Sequence, residues 1–405
     1  MNIIRYISRP VWLLSLVSLF SDITSEMLYP IMPLYLQSIG FSIIWIGVLE
    51  GIAEAIAGLS QGFFGRASDM AGSRMPFVRM GYVLTGISKP IIGLFREPVL
   101  ILLARSADRF GKGIRTGARD AILSSETTHS HKGRIFGFHR SMNTTGAVIG
   151  LLIALTYMYY QPGQYQTLFI IASIPALISV ALTFFVSDAE IQVHKSKSEQ
   201  SAFALLSYWK ESSRQYKQVV IGLLLFTLFN ASDFFLLLKM KQDGLDDVSI
   251  ISVYIFYNLV YAVTALPLGI IADRIGLKAM LIIGLIAYAC LYFGMALLSG
   301  QTPFYLCFFA YGIFSAATEG ISKAWISNVS HAHDLGTAFG TFLGLQSVFL
   351  MLASILAGVL WSLIGADASF LVVGIVTILL IFYFWGLQSP GHARIEMDNP
   401  EPLED

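Results

Sequence analysis

The chain has 405 residues, 55% of them hydrophobic and only 13% charged, with a mean hydropathy of +0.68. A soluble domain carries about 25% charged residues, so this is a membrane chain rather than a soluble enzyme or signalling domain. The 26 basic and 26 acidic residues cancel, so net charge points to no nucleic-acid partner.

Each bilayer crossing needs roughly 20 apolar residues. The apolar runs predict spans at 11–36, 43–64, 78–95, 98–122, 134–158, 165–187, 217–240, 249–272, 279–298, 302–328, 335–362 and 367–387. The fold class expected is an all-α membrane protein. Twelve transmembrane helices form two pseudo-symmetric six-helix halves. The halves are 1–187 and 217–390, with a linker at 188–216 and a tail at 391–405. The first run lacks a small-residue cleavage pattern and reads as a retained span. In the linker, Phe203, Leu206 and Trp209 recur at helical spacing, so part of it is expected to lie in the interface. Cys290 and Cys307 sit in apolar runs and read as buried free thiols.

Lys and Arg set the orientation. Arg5, Arg9, Arg66, Arg74, Arg79, Arg115, Arg119, Lys132, Arg134, Arg274, Lys278 and a basic linker fall on one side. The opposite loops have little beyond Arg96, Lys239 and Lys241. Both termini are therefore expected in the cytoplasm, and the protein in the cytoplasmic (inner) membrane.

Ionisable groups inside spans cost a few kcal/mol unless paired or wetted, and there are many. Span one has Asp22 and Glu26, one turn apart on one face, and span two has Glu50 and Glu54 at the same spacing. Span three has Lys89 beside Pro90. Span four has Arg105, Asp108, Arg109, Lys112 and Arg115 in steps of three and four, a stripe on one side. Span five opens with His139 and Arg140; span seven has Asp233 and Lys239; span ten has Glu319 and Lys323. Neither a Ser-His-Asp order nor a P-loop spacing is present, so the reading is neither an enzyme nor an ATP-driven pump, with no cofactor and no metal.

The chain repeats itself. Gly65-Arg66-Ala67-Ser68-Asp69-Met70-Ala71-Gly72-Ser73-Arg74 recurs 204 positions on as Gly269-Ile270-Ile271-Ala272-Asp273-Arg274-Ile275-Gly276-Leu277-Lys278. Gly133-Arg134-Ile135-Phe136-Gly137-Phe138 matches Gly336-Thr337-Ala338-Phe339-Gly340-Thr341, and Phe20-Ser21-Asp22 has a loose echo in Asn230-Ala231-Ser232-Asp233. Two such halves in a membrane chain place a site between them.

On these residues the chain resembles the major facilitator superfamily over nearly all its length. The stretch from Arg105 to Asp120 also resembles a bacterial group of general or multidrug-type permeases within it. The resemblance implies a cavity lined by spans one, four, seven and ten, with spans two, five, eight and eleven at the interface and alternating access by rocking. It implies a secondary transporter with a small-molecule substrate and the lipid bilayer as surroundings. A monomer is the expected state.

Asp22 and Glu26 are the leading proton-coupling candidates, with Asp233 and Glu319 beside them. Their counter-charges are expected on span four, at Arg109 or Lys112, so that movement of the cation would change a carboxylate's hold on its proton. Glu50 and Glu54 are expected to act in helix packing. Arg105, Asp108, Arg109, Lys112, Asn143 and Lys323 are the substrate-cavity candidates. The basic stripe favours a substrate with an anionic group; the alternatives are a multidrug/proton antiporter for lipophilic cations at Asp22 and Glu26, and a non-transporting sensor. Gly65, Asp69, Gly72, Arg74, Gly269, Asp273, Arg274 and Gly276 form the expected conformational loop motifs. Asn143 to Gly150 resembles the span-five motif of exporters through Gly146 and Gly150, although Leu151 stands where a proline usually follows; the two glycines fit plain helix packing equally well. The many Phe and Tyr residues are expected at lipid-facing and interfacial positions.

Overall fold

A computed structural model describes residues 8–71, 73–125, 132–186, 208–318, 321–330 and 335–387. Within them the chain is helical, with short connections. Six helical spans make the first half: Arg9–Leu28 continued by Met32–Ser38, then Ile43–Met70, Met75–Leu94, Pro98–Ser125, Lys132–Tyr160 and Tyr165–Thr183. Six make the second: Arg214–Leu228 continued by Phe234–Gln242, then Asp247–Ile275, Leu277–Leu297, Gln301–Thr318 continued by Ile321–Asn328, Leu335–Ile364 and Ala366–Gly386. Among the described residues, eight helices are long and apolar enough to cross a membrane unaided. The other four spans fall short for visible reasons. Spans three and four carry charge, span seven is interrupted at 229–233, and in span ten residues 319–320 lie outside the described ones, so that its described run is Gln301–Thr318.

The repeat read from the sequence is present in the backbone. Gly40 and Gly244 both turn the chain at positive φ, +94° and +90°, a conformation that costs glycine little. Two residues later Ser42 and Asp246 cap spans two and eight, accepting the Trp45 N–H at 3.4 Å and the Ser249 N–H at 3.1 Å. Spans one and seven are each interrupted past their midpoint, at residues 29–31 and 229–233. Between spans eight and nine the chain reverses at Gly276, with φ +91°.

The expected linker ended at 216, but span seven already begins at Arg214, because Ser213 caps it through the Tyr216 N–H at 3.0 Å. Of the apolar linker residues, Phe203 and Leu206 lie outside the described residues; Trp209 packs edge-on against Tyr216. The cysteines are both free, but only Cys307 is buried. Cys290 is exposed on the outer surface of its span, since the apolar run around it faces lipid as well as protein.

The halves meet along spans two and eleven, and along spans five and eight. Gly47, Gly51 and Gly58 press against Ser354, Met351 and Ser347; a methyl group on Gly51 would lie 2.7 Å from the Met351 carbonyl oxygen. On the face opposite the linker, the Tyr165 hydroxyl of span six donates to Asp247 of span eight at 2.7 Å, and Lys241 binds the same carboxylate at 2.5 Å. Spans five and eight are joined by Arg140 donating to the Tyr261 hydroxyl at 3.0 Å.

Gly146 and Gly150 serve the packing of span five on span one. A methyl group on Gly150 would sit 3.0 Å from the Met27 nitrogen and 3.1 Å from the Ile23 carbonyl carbon, atoms that cannot turn aside. Gly150→Val is therefore expected to destabilise the protein by about 1–3 kcal/mol, while Gly269→Ala, with nothing within 4 Å, should cost nothing. Thermal unfolding midpoints of the two purified variants check the pair.

Candidate functional site

Six charged residues of the first half, Glu50, Glu54, Lys89, Arg105, Asp108 and Arg109, form one largely buried network inside the membrane. Its centre is Glu50 of span two, almost fully buried. Arg105 reaches it with Nη2 at 2.9 Å and 3.2 Å, and Arg109 with Nη2 at 3.1 Å. Arg109 also pairs with Glu54 at 3.1 Å. Asp108 closes the other end, held by Lys89 of span three at 2.8 Å and by Arg105 at 3.5 Å. The stripe periodicity makes this possible. Residues 105, 108 and 109 share the face of span four that spans two and three cover, so acid and base alternate from helix to helix. Charge pairs of this kind hold only if nearly every member is bonded; among these side chains, Arg109 Nε is a buried nitrogen with no partner.

The expected pairing of span one with span four is not what forms. Among the described residues, Asp22 and Glu26 have no ion-pair partner within 4.0 Å; the arginines of span four bind span two instead. The reason is geometric: span four packs along spans two and three over most of its length but touches span one only briefly. Glu50 and Glu54, assigned to packing by the sequence, are thus the acids of span two that pair with Arg105 and Arg109. Further along the stripe, Arg115 donates to Thr85 and to Ser21 at 3.0 Å and lies 4.3 Å over the Tyr82 ring. Arg119 binds Asp120 at 2.8 Å and Ser18 at 3.3 Å. Lys112 differs. It is exposed, and among the described residues its ammonium has no ion pair. It lies within electrostatic range of Asp22 and Glu26 without pairing to either.

In the second half, Asp233 stands at the interruption of span seven. It accepts a hydrogen bond from the Tyr311 hydroxyl of span ten. Three residues earlier, Asn230 accepts from the Tyr288 hydroxyl at 3.0 Å. Tyr257 stacks on Tyr311 at 4.5 Å, and Tyr29 of span one stacks on Tyr254 at 5.6 Å. These tyrosines line the interior rather than the lipid face expected for them. A sequence signal existed: Tyr254 and Tyr257, like Tyr288 and Tyr292, recur at helical spacing within spans.

Asn143 lies on span five with its side-chain oxygen buried and without a partner. His139 is buried against Ser15 at 3.4 Å, with Nε2 unpartnered. Glu319 and Gly72 fall outside the described residues, as do the side chains of Lys323, Gly65, Asp69 and Asp273. Arg74 precedes span three, Gly269 and Arg274 lie in span eight, and Arg274 is exposed.

The sequence profile of the Major Facilitator Superfamily matches residues 14–254 and 219–401. An uncharacterized MFS-type transporter of Methanocaldococcus jannaschii is 31% identical over 388 residues, covering 94% of this chain and 96% of that one. The sialic acid transporter NanX of Escherichia coli is 21% identical, covering 85% of this chain and 84% of its own. Among solved structures, a point mutant of the nucleoside transporter NupG superposes with a TM-score of 0.81 at 14% identity, covering 93% of this chain and 99% of that one. The M. jannaschii relative and the profile match together span both halves, and the fold, the repeat and the intramembrane charges agree with them: the chain belongs to the major facilitator superfamily, a multi-pass membrane transporter of small molecules and not an enzyme.

Proposed function

We propose that this protein is a proton-coupled secondary transporter of the cytoplasmic membrane, working by alternating access, with Asp22 and Glu26 as the coupling carboxylates. One observation carries the reading. Every arginine of span four already has a polar partner, while Asp22 and Glu26, both part-exposed, have no ion pair among the described residues. A carboxylate in that position is free to exchange a proton as access alternates; one locked to two arginines, like Glu50, is not. Reconstitution into proteoliposomes with an imposed pH gradient and a mixed metabolite pool tests it. Solute accumulation that a protonophore collapses is expected; accumulation indifferent to the gradient would rule coupling out.

The substrate's charge has two supports of opposite sign. Lys112 supports a substrate with an anionic group, as the basic stripe suggested, although Arg105 and Arg109 no longer do, since Glu50 holds both. Asp233 supports a cation. The loop motifs at Asp69 and Asp273 are proposed as conformational latches.

Orientation is part of the proposal: both termini and the 188–216 segment lie in the cytoplasm. A Ser198→Cys variant in a cysteine-free background is expected to resist impermeant thiol reagents added to intact cells and to react after permeabilisation. Labelling from outside would invert the topology.

A further inference from the structure

We infer that the interruption of span seven is a binding site for an organic cation, held by Asp233 within a ring of tyrosines. The inference rests on the transporter reading above and names the chemical class of its substrate.

Asp233 occupies the N-cap position of Phe234–Gln242, where an aspartate ordinarily accepts an N–H of the first turn. It makes no such bond. Ser232 takes the Phe234 N–H at 3.4 Å instead, and the Asp233 carboxylate turns away from its own helix to the Tyr311 hydroxyl. From Tyr311 the rings run in a row: Tyr257 at 4.5 Å, Tyr254 a further 5.6 Å on, then Tyr29 at 5.6 Å. Tyr29 returns to Phe234, the neighbour of Asp233, at 5.3 Å. The row therefore begins and ends at the same carboxylate, with members from spans one, eight and ten. Residues 228–233 are all part-exposed, so this stretch is not sealed by packing.

Two features give the ligand its sign and softness. No cation lies within 4.0 Å of Asp233 among the described residues. Arg105, whose guanidinium carbon sits 5.7 Å over the Phe234 ring, is engaged by Glu50 and Asp108. A carboxylate left without a counter-charge in a membrane interior is complementary to a cationic ligand. The tyrosine faces carry the negative side of the ring quadrupole and attract a desolvated cation. A hard inorganic ion takes a shell of oxygens; ring faces and one carboxylate suit an ammonium or phosphonium bearing apolar groups.

The test is equilibrium binding of radiolabelled tetraphenylphosphonium to the purified protein in detergent, with uncharged triphenylphosphine oxide as comparison. Wild type is expected to bind the cation and not the neutral compound. Asp233→Asn and Tyr257→Leu are each expected to weaken binding about ten-fold, and Tyr257→Phe to restore it. If Asp233→Asn fails to fold, as judged by its elution and thermal unfolding, the Tyr257 pair decides. The inference is overturned if wild type does not bind tetraphenylphosphonium, if the neutral compound binds as well, if sodium at millimolar concentration displaces the cation, or if the Asp233 and Tyr257 variants bind like wild type. Asp233-dependent binding in a protein that ignores a pH gradient would sink proton coupling and leave the site standing. Gradient-driven transport with Asp233-independent binding would do the reverse.

Discussion

Lys89→Met is expected to lower folding stability by about 3–5 kcal/mol, the cost of leaving a buried charge without its partner. Lys89 is 2% exposed, and its ammonium lies 2.8 Å from Asp108, whose only other ion pair among the described residues is a 3.5 Å contact with Arg105. Methionine keeps the length and apolar stem of lysine, so lost packing adds little. The carboxylate of Asp108 would remain inside the membrane with one distant cation. The double variant Lys89→Met/Asp108→Leu should recover most of the loss, because it removes both charges, and Arg105 keeps Glu50 at 2.9 Å. Thermal unfolding of the three purified proteins measures this. A single variant as stable as wild type would mean that water reaches Asp108. A double variant no better than the single would mean that Arg105 depends on Asp108 more than the geometry implies.

The same cluster marks where the sequence stops being informative. Span positions were legible because apolar length and charge spacing act locally: span two was expected to start at 43 and does, and the offset of 204 reappears in Gly40 and Gly244 and in the caps Ser42 and Asp246. The stripe from Arg105 to Arg115 was also legible, since steps of three and four need only one helix. The identity of its partners was not. Whether Arg109 meets Glu26 or Glu50 depends on which helix packs beside span four, and both helices present two acids at suitable spacing. Tyrosines raise a similar difficulty. A ring in an apolar run reads the same whether it faces lipid or an interior ring around Asp233. What distinguishes them is the interruption of span seven, which turns Asn230 and Asp233 toward spans nine and ten. The weak echo between Phe20-Ser21-Asp22 and Asn230-Ala231-Ser232-Asp233 hinted that both halves place an aspartate near the interior, without showing that one would be tyrosine-bonded and the other open.

Asp22→Asn is expected to abolish uphill accumulation while leaving substrate exchange within about three-fold of wild type. One proton moved down a gradient of one pH unit supplies about 1.4 kcal/mol, enough for about ten-fold accumulation; without coupling the ratio falls to one. The amide keeps the shape and hydrogen bonding of the acid but cannot release a proton. Asp22 is suited to this because its cationic surroundings, Arg119, Arg115 and Lys112, are close enough to be felt yet not bonded to it. Arg115 is held by Thr85 and Ser21, and Arg119 by Asp120 and Ser18. A small shift of span one against span four would bring Arg115 from Ser21 to the adjacent Asp22 and change how tightly the proton is held. The measurement is paired: pH-driven accumulation and counterflow in proteoliposomes, on wild type, Asp22→Asn and Glu26→Gln. Undiminished accumulation in Asp22→Asn would move the coupling role to Glu26, whose own variant would then have to lose it. Loss of counterflow together with accumulation in both would make these carboxylates substrate ligands rather than proton carriers.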